Sequence, residues 1–488
     1  MKTLYPFMGM ALCSLPMAAQ QSPNFLIIQC DHLTQRVVGA YGADPSCTPP
    51  IDRLASQGGV CANAYVGCPL SQPSRAALWS GLMPHQTNVR SNSDEHINPP
   101  LPDNIPTLGS LFSANGYEAV HFGKTHDMGA LRGFRHKEPV AKPVPDPEFP
   151  FNNDSFLDVG TCEDAVSYLS NPPKEPFICI ADFQNPHNIC GYVGENKGEH
   201  TDSPISGFLP DLPDNFEVEN WKSLPLPIQY ICCSHRRMMQ AAHWNEENYR
   251  HYIAAFQHYT RMVAKQIDSV LQALYSTPAG KNTIVVVLAD HGDGMGSHRM
   301  VTKQVSFYEE MTNVPFIIAG PGIQPRPKPV EELLTQPTTD LLPTLCELAG
   351  IPVPADKPGI SLAPFLKGKK QEKQHPYVAS EWHSEYEVTV SPGRMIRGPR
   401  YKYTHYLEGN GEELYDMSKD KGEKHNLANN PEYADILIQY RALLDNYIYR
   451  TQDDYRNLKV EADKRWRSHT PGYPNHDGPC ARDIINRK

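Results

Sequence analysis

The chain alternates short, nearly continuous apolar runs with stretches whose apolar residues recur at helical spacing. Phe25 to Cys30, Tyr117 to Phe122, Phe177 to Ala181 and Thr283 to Ala289 read as strands covered on both faces. Among them, Thr48 with Pro49 and Pro50 predicts a helix through Ile51, Leu54 and Ala55, closed by Gly58 and Gly59. Thr107 to Ala114, stopped by Gly116, and Cys162 to Leu169 read as further helices. Asn245 to Tyr275 is the longest, with Ile253, Phe256, Val263, Ile267, Val270, Leu271 and Leu274 at helical spacing. Buried strands alternating with helices predict an α/β layer fold with a largely parallel sheet, in which ligands sit beyond the carboxyl ends of the strands.

Four predicted strands end in chemistry: Asp31-His32, Gly123-Lys124-Thr125-His126, Asn185-Pro186-His187 and Asp290-His291-Gly292. From Asn188 to about Met239 the chain is rich in proline, glycine and acids, an excursion that predicts a rim or lid with no regular structure. After Lys370 the pattern changes to short, tyrosine-rich strands (Tyr377 to Glu381, Arg394 to Ile396, Tyr401 to Tyr406) and a helix near Pro431 to Tyr447. This predicts a smaller α+β domain with a short antiparallel sheet. A length of 488 residues exceeds what one core usually supports. The expected division is a signal peptide at 1–19, a catalytic domain at 20–370 and a C-terminal subdomain at 371–488.

The leader follows from Lys2, the apolar run Leu4 to Met17, and Ala18-Ala19 before Gln20, the layout of a cleavable secretory signal. The expected location is secreted or periplasmic. The bulky Leu12 before Cys13 argues against lipidation, and no later apolar run reaches the roughly 18 residues needed to span a membrane. A formal charge of −10 argues against general affinity for nucleic acid, so any anion must be caught locally. Of the 12 cysteines, removing Cys13 leaves an odd number, so at least one thiol stays unpaired, and no CxxC pair suggests zinc.

The stretch Gly67 to Gly81 organises the rest. Its Ser71-Gln72-Pro73-Ser74-Arg75 resembles the serine form of the type I sulfatase signature, C/S-x-P-S/A-R, continued by Leu78-Trp79-Ser80-Gly81. Asp31, Gly123-Lys124-Thr125-His126, Asn185-Pro186-His187, Asp290-His291-Gly292 through Lys303, and Glu413-Leu414-Tyr415-Asp416 before His425-Asn426-Leu427 follow in sulfatase order. Each motif alone is weak; their order carries the resemblance over most of residues 23–430.

The resemblance implies an alkaline-phosphatase-like fold: a large mixed, mostly parallel sheet flanked by helices, with the smaller domain beside it. It implies a sulfuric ester hydrolase in which Ser71 is oxidised after translation to formylglycine. Asp31, Asp290, His291 and the modified Ser71 would hold a divalent cation, Ca²⁺ being the leading expectation. Arg75 and Lys124 would hold the formylglycine and Lys303 would meet the sulfate. His187 would be the general acid, Asp290 would take the nucleophile's proton, and His126 would help release sulfate. The chain departs from the commonest pattern at His32, where many relatives carry a second aspartate, and at His291, where many carry asparagine. Imidazole suits transition metals better than calcium, and His32 is either a ligand or only a neighbour.

A serine signature implies maturation by an anaerobic sulfatase-maturing enzyme. The expected substrate is a sulfated carbohydrate, such as a glycosaminoglycan or mucin oligosaccharide, attacked from its end. His85, Arg90, Asn92, Trp382 and His383 are candidates to touch the sugar, Trp382 reading equally as interdomain packing. Two alternatives remain: a phosphomonoester or phosphonate hydrolase of the same superfamily, and a glycan-binding protein without catalysis if Ser71 stays unmodified.

Overall fold

The computed structural model describes residues 22–92, 98–143, 155–196, 209–217, 221–233, 236–303, 306–383 and 391–458; the expected signal peptide lies outside them. The central sheet contains β1 (Asn24–Cys30), β2 (Gly58–Ala64), β3 (Glu118–Gly123) and β4 (Arg135–Lys137). A separate short pair, β5 (Lys142–Pro143) and β6 (Ser155–Phe156), follows. The sheet is completed by β7 (Phe177–Phe183), β8 (Thr283–Ala289), β9 (Phe316–Ala319) and β10 (Arg326–Thr335), in the order β10-β2-β9-β8-β1-β7-β3-β4. Only β9 runs against its neighbours, so the sheet is mixed and mostly parallel.

Strand periodicity decides which helix covers which face. Leu26, Ile28 and Cys30 of β1 point into the core built with the helix Glu246–Tyr275, whereas Phe25 and Ile27 point into the core built with Ala76, Leu78 and Trp79 of the helix Ser71–Ser80. Burying each such large apolar side chain is worth about 1.5–3 kcal/mol. The signature helix is thereby clamped against the sheet. Because β1 pairs in parallel with both β7 and β8, Cys30 stands opposite Phe183 and Ala289, and the polar residues after each strand emerge side by side.

The small sheet has β11 (Val378–Trp382), β12 (Gly393–Arg397), β13 (Tyr401–Tyr406) and β14 (Gly411–Asp416), all antiparallel. The helix Ala434–Thr451 packs on it.

Two expectations need correction, and one strand is added to the small sheet. Gly58 and Gly59 open β2 instead of closing a helix, since close approach of Ile318 leaves no room for a side chain at Gly58. Glu413 to Asp416 belong to a fourth strand of the small sheet. The stretch from Asn188 to Met239 is not devoid of regular structure: helices occur at Ile189–Glu195, Leu226–Cys233 and Arg236–Gln240, their apolar side chains buried against larger elements. Part of that stretch, 197–208, 218–220 and 234–235, lies outside the described residues.

Candidate active site

Ser71 is the first residue of its 10-residue helix, at the end where free N–H groups favour an anion. The preceding loop is fixed from the small domain: Glu381 N donates to Gly67 O at 2.7 Å, and Trp382 packs in the same core as Cys68 and Leu70. Ser71 is fully buried. Its Oγ, the stand-in for one oxygen of a modified side chain, lies 2.9 Å from His291 Nε2, 3.0 Å from Lys303 Nζ and 3.4 Å from Asp31 Oδ1.

The surroundings are charged and mostly buried. Asp31, Arg75, Asp182, Asp290, His291 and Asp293 are all completely buried. Arg75 donates from Nε to Asp290 Oδ2 at 2.8 Å and from Nη1 to Asp182 Oδ2 at 2.6 Å, with Nη2 3.5 Å from Asp31 Oδ2. Lys124 Nζ pairs with the same Asp31 oxygen. Burial alone would raise the Asp31 carboxyl, but Lys124 and then Lys303 hold it well below the carboxylate range. Gly292 is required here: a Cβ would stand 1.8 Å from the Glu310 carbonyl oxygen.

Two hydrogen bonds fix two tautomers. His291 Nδ1 donates to Gly292 O at 2.8 Å, leaving Nε2 as a lone pair. His32 Nδ1 donates to Asp293 Oδ2 at 3.1 Å, leaving Nε2 buried and without a hydrogen-bond partner. Both Nε2 atoms face Asp31 Oδ1, at 3.5 and 3.6 Å. Two lone pairs turned on a carboxylate repel unless a cation sits among them. Asp31, His32 and His291 therefore fit a divalent metal, and Asp290 stands beside them, its Oδ1 4.0 Å from His291 Nε2. His32 holds φ +72°, a strained backbone for a non-glycine residue, of the kind that clusters at functional sites.

His126 and His187 are neutral as the site stands. Burial and then Lys124 push His126 down to about 3 and His187 well below its usual range. The His187 ring stands edge-on to His32, centroids 4.7 Å apart.

The expected sugar contacts separate. His85 has both ring nitrogens engaged, Nδ1 with Glu381 Oε1 at 2.6 Å and Nε2 with Thr451 O at 3.1 Å, so it ties the helix Pro84–Thr87 to the small domain and is not offered to a ligand. Trp382 is buried in the core that joins the small sheet to the large domain, with Tyr65, Cys68 and Leu70, and packs there. Asn92 Oδ1 accepts from Gln72 N at 2.9 Å, a contact directly behind Ser71. Arg90 pairs with Asp454 at 3.0 Å yet stays partly exposed, and His383, beside it, keeps Nδ1 unpartnered.

Sequence reading missed Asp182, Asp293 and Tyr252. Asp182 sits inside the apolar run of β7, where a lone acid is itself a signal. Asp293 lies two residues past the motif Asp290-His291, and Tyr252 looks like any core position of its helix until its hydroxyl is seen to donate to Asp293 Oδ1 at 2.6 Å.

Carboxylates, imidazoles and cations around a buried hydroxyl at parallel strand ends define a hydrolase of anionic esters. The chain belongs to the sulfatase family: the profile described as Sulfatase matches residues 23–351, and one described as N-sulphoglucosamine sulphohydrolase, C-terminal, matches 296–450. It is a sulfuric ester hydrolase. A Delta 4,5-hexuronate-2-O-sulfatase of Bacteroides thetaiotaomicron is 77% identical over 481 residues, spanning 99% of this chain and 100% of that protein. A solved 2-O GAG sulfatase superposes with a TM-score of 0.91 at 77% identity, covering 95% of this chain and 100% of that one. Arylsulfatase K of Gallus gallus is 28% identical over 86% of this chain and 82% of that protein. A phosphonate monoester hydrolase of Agrobacterium radiobacter, 21% identical with a TM-score of 0.72 over 91% of this chain and 98% of that one, shares the fold alone.

Proposed function

We propose that this sulfatase removes the 2-O-sulfate from a Δ4,5-unsaturated hexuronate of a glycosaminoglycan fragment. The observation that carries this reading is the Ser71 pocket, ringed by Lys303, His291 and Asp31, in a chain 77% identical end to end to the hexuronate-2-O-sulfatase. A 4,5-double bond leaves no glycosidic oxygen on carbon 4, so such a residue is necessarily terminal and the action is exo.

Ser71 is read as the precursor of formylglycine, whose hydrate supplies one hydroxyl for attack and a second to expel sulfate. A divalent cation held by Asp31, His32, Asp290 and His291, with Ca²⁺ as the ion implied by the resemblance, would neutralise charge on the sulfate oxygens. Lys303 Nζ, 3.0 Å from Ser71 Oγ, places a positive charge where those oxygens must come. Asp290 already accepts from Arg75 and from the N–H groups of His291 and His32, at 2.8, 3.0 and 3.4 Å, which fits cation holding and orientation better than proton removal; Asp31 Oδ1 is the carboxylate nearer Ser71.

His187 gives its proton to the leaving 2-oxygen. Burial, and then Lys124 and Lys303, keep it neutral; on binding, the substrate's own sulfate and carboxylate answer those cations and raise its proton affinity. His126 receives the proton of the second hydroxyl. Arg90 and His383 meet the uronate carboxylate. The leader at 1–19, export, maturation by an anaerobic sulfatase-maturing enzyme and a division near residue 370 complete the reading; among the described residues no helix is long and apolar enough to cross a membrane.

The test is a panel of position-defined sulfated disaccharides, saturated and unsaturated, given to enzyme whose Ser71 conversion has been verified by mass spectrometry. Turnover confined to the terminal 2-O-sulfated unsaturated uronate is expected, with none from Ser71→Ala. Equal sulfate release from intact chains, or an active Ser71→Ala protein, overturns the reading.

A further inference from the structure

The reaction just described makes no use of the thiol that stands beside His187. Cys190 lies three residues past His187, in the helix Ile189–Glu195, and carries a free, partly exposed thiol. Its Sγ, one ring nitrogen of His187 and one of His32 lie within 4.8 Å of one another. Independently of the thiol, His32 is completely buried and its Nε2 lacks a partner.

We propose that His32, His187 and Cys190 form an inhibitory site for a soft divalent transition-metal ion, with Zn²⁺ as its probe. Thiolate plus two imidazoles is a softer donor set than the two carboxylates and two imidazoles of Asp31, Asp290, His32 and His291. Zinc holds sulfur at about 2.3 Å and nitrogen at about 2.0–2.1 Å in a tetrahedron, so its ligand atoms stand roughly 3.3–3.6 Å apart. Small side-chain rotations bring the three together. His187 and Cys190 are both partly exposed, which gives the ion a way in. On ligation the thiol proton passes to solvent, and a water completes the fourth position.

His32 belongs to both cation sets, so the two compete for it. The inhibitory effect rests on the reading of His187 as general acid, because a ligated imidazole cannot hand a proton to the leaving oxygen; binding itself does not rest on it.

Two measurements separate these parts. First, Co²⁺ added to the cation-loaded enzyme should give a thiolate-to-cobalt charge-transfer band that is lost in Cys190→Ser; a band of equal strength in the variant, or none in the parent, overturns the site. Second, micromolar Zn²⁺ should inhibit the matured enzyme, each protein's rate being normalised to its own zinc-free rate. Cys190→Ser should need at least about tenfold more zinc, and an excess of the resident cation should relieve the inhibition. A cysteine-dependent cobalt band without zinc inhibition would keep the site and reject its effect on His187. Equal zinc inhibition of parent and variant overturns the proposal.

Discussion

Asp293 Oδ2 accepts the Nδ1 proton of His32 at 3.1 Å, and Tyr252 holds the other Asp293 oxygen at 2.6 Å. Thr302 N in turn donates to the Tyr252 hydroxyl at 2.7 Å. The departure from aspartate at position 32 thus comes with a carboxylate that aims the imidazole. Asp293→Asn should weaken cation affinity by about 10–100-fold, and Tyr252→Phe by less. Activity recovered during cation titration of the chelated enzyme measures both, and the same titration with Ca²⁺ or Mn²⁺ ranks the metals. Unchanged affinity in Asp293→Asn would remove His32 from the ligand set.

Arg75 carries the charge balance of the site floor. Replacing it with Met leaves Asp182, Asp290 and Asp31 buried together without their shared cation. A loss of about 3–5 kcal/mol is expected, visible as a lower Tm even in protein with unconverted Ser71. A Tm equal to the parent's would show that Lys124 and bound cations suffice.

The His85–Glu381 pair gives a pH signature at the domain interface. Burial alone would raise Glu381, but His85 and Arg394 hold it at about 2, below its ordinary 4.5; burial alone would lower His85, but Glu381 raises it above 6.5. The Glu381 contribution is therefore complete above about pH 4.5 and is lost as pH falls toward 2. The His85 contribution is complete below pH 6.5 and is lost as pH rises through its folded value. The difference in Tm between parent and His85→Gln should be largest between roughly pH 4.5 and 6.5, and a pH-independent difference would contradict the pairing.

If His187 protonates the leaving oxygen, His187→Ala should lose about 10²–10⁴-fold on the sugar sulfate and far less on an aryl sulfate whose phenolate leaves unaided. Equal losses on both substrates would assign His187 to binding.

The amino-acid pattern alone determined the layers and the list of parts. Continuous apolar runs ending in Asp31, Lys124, His187 and Asp290 set the strands and their loaded ends, because a strand buried on both faces leaves its polar residues only at its tips. The sheet order and register decided how those tips meet, and no local spacing encodes that Cys30 stands opposite both Phe183 and Ala289. Tertiary packing also separated look-alikes. His85 and Trp382 seemed available for a sugar, yet Glu381 takes one and the core between the small sheet and the large domain takes the other. Conversely, Tyr252 and Cys190 carried no signal of their own, and Asp293 only its nearness to the Asp290-His291 motif. Their roles come from distances to His32 and His187, set by elements far apart in sequence, and such distances exist only once the chain has closed around Ser71.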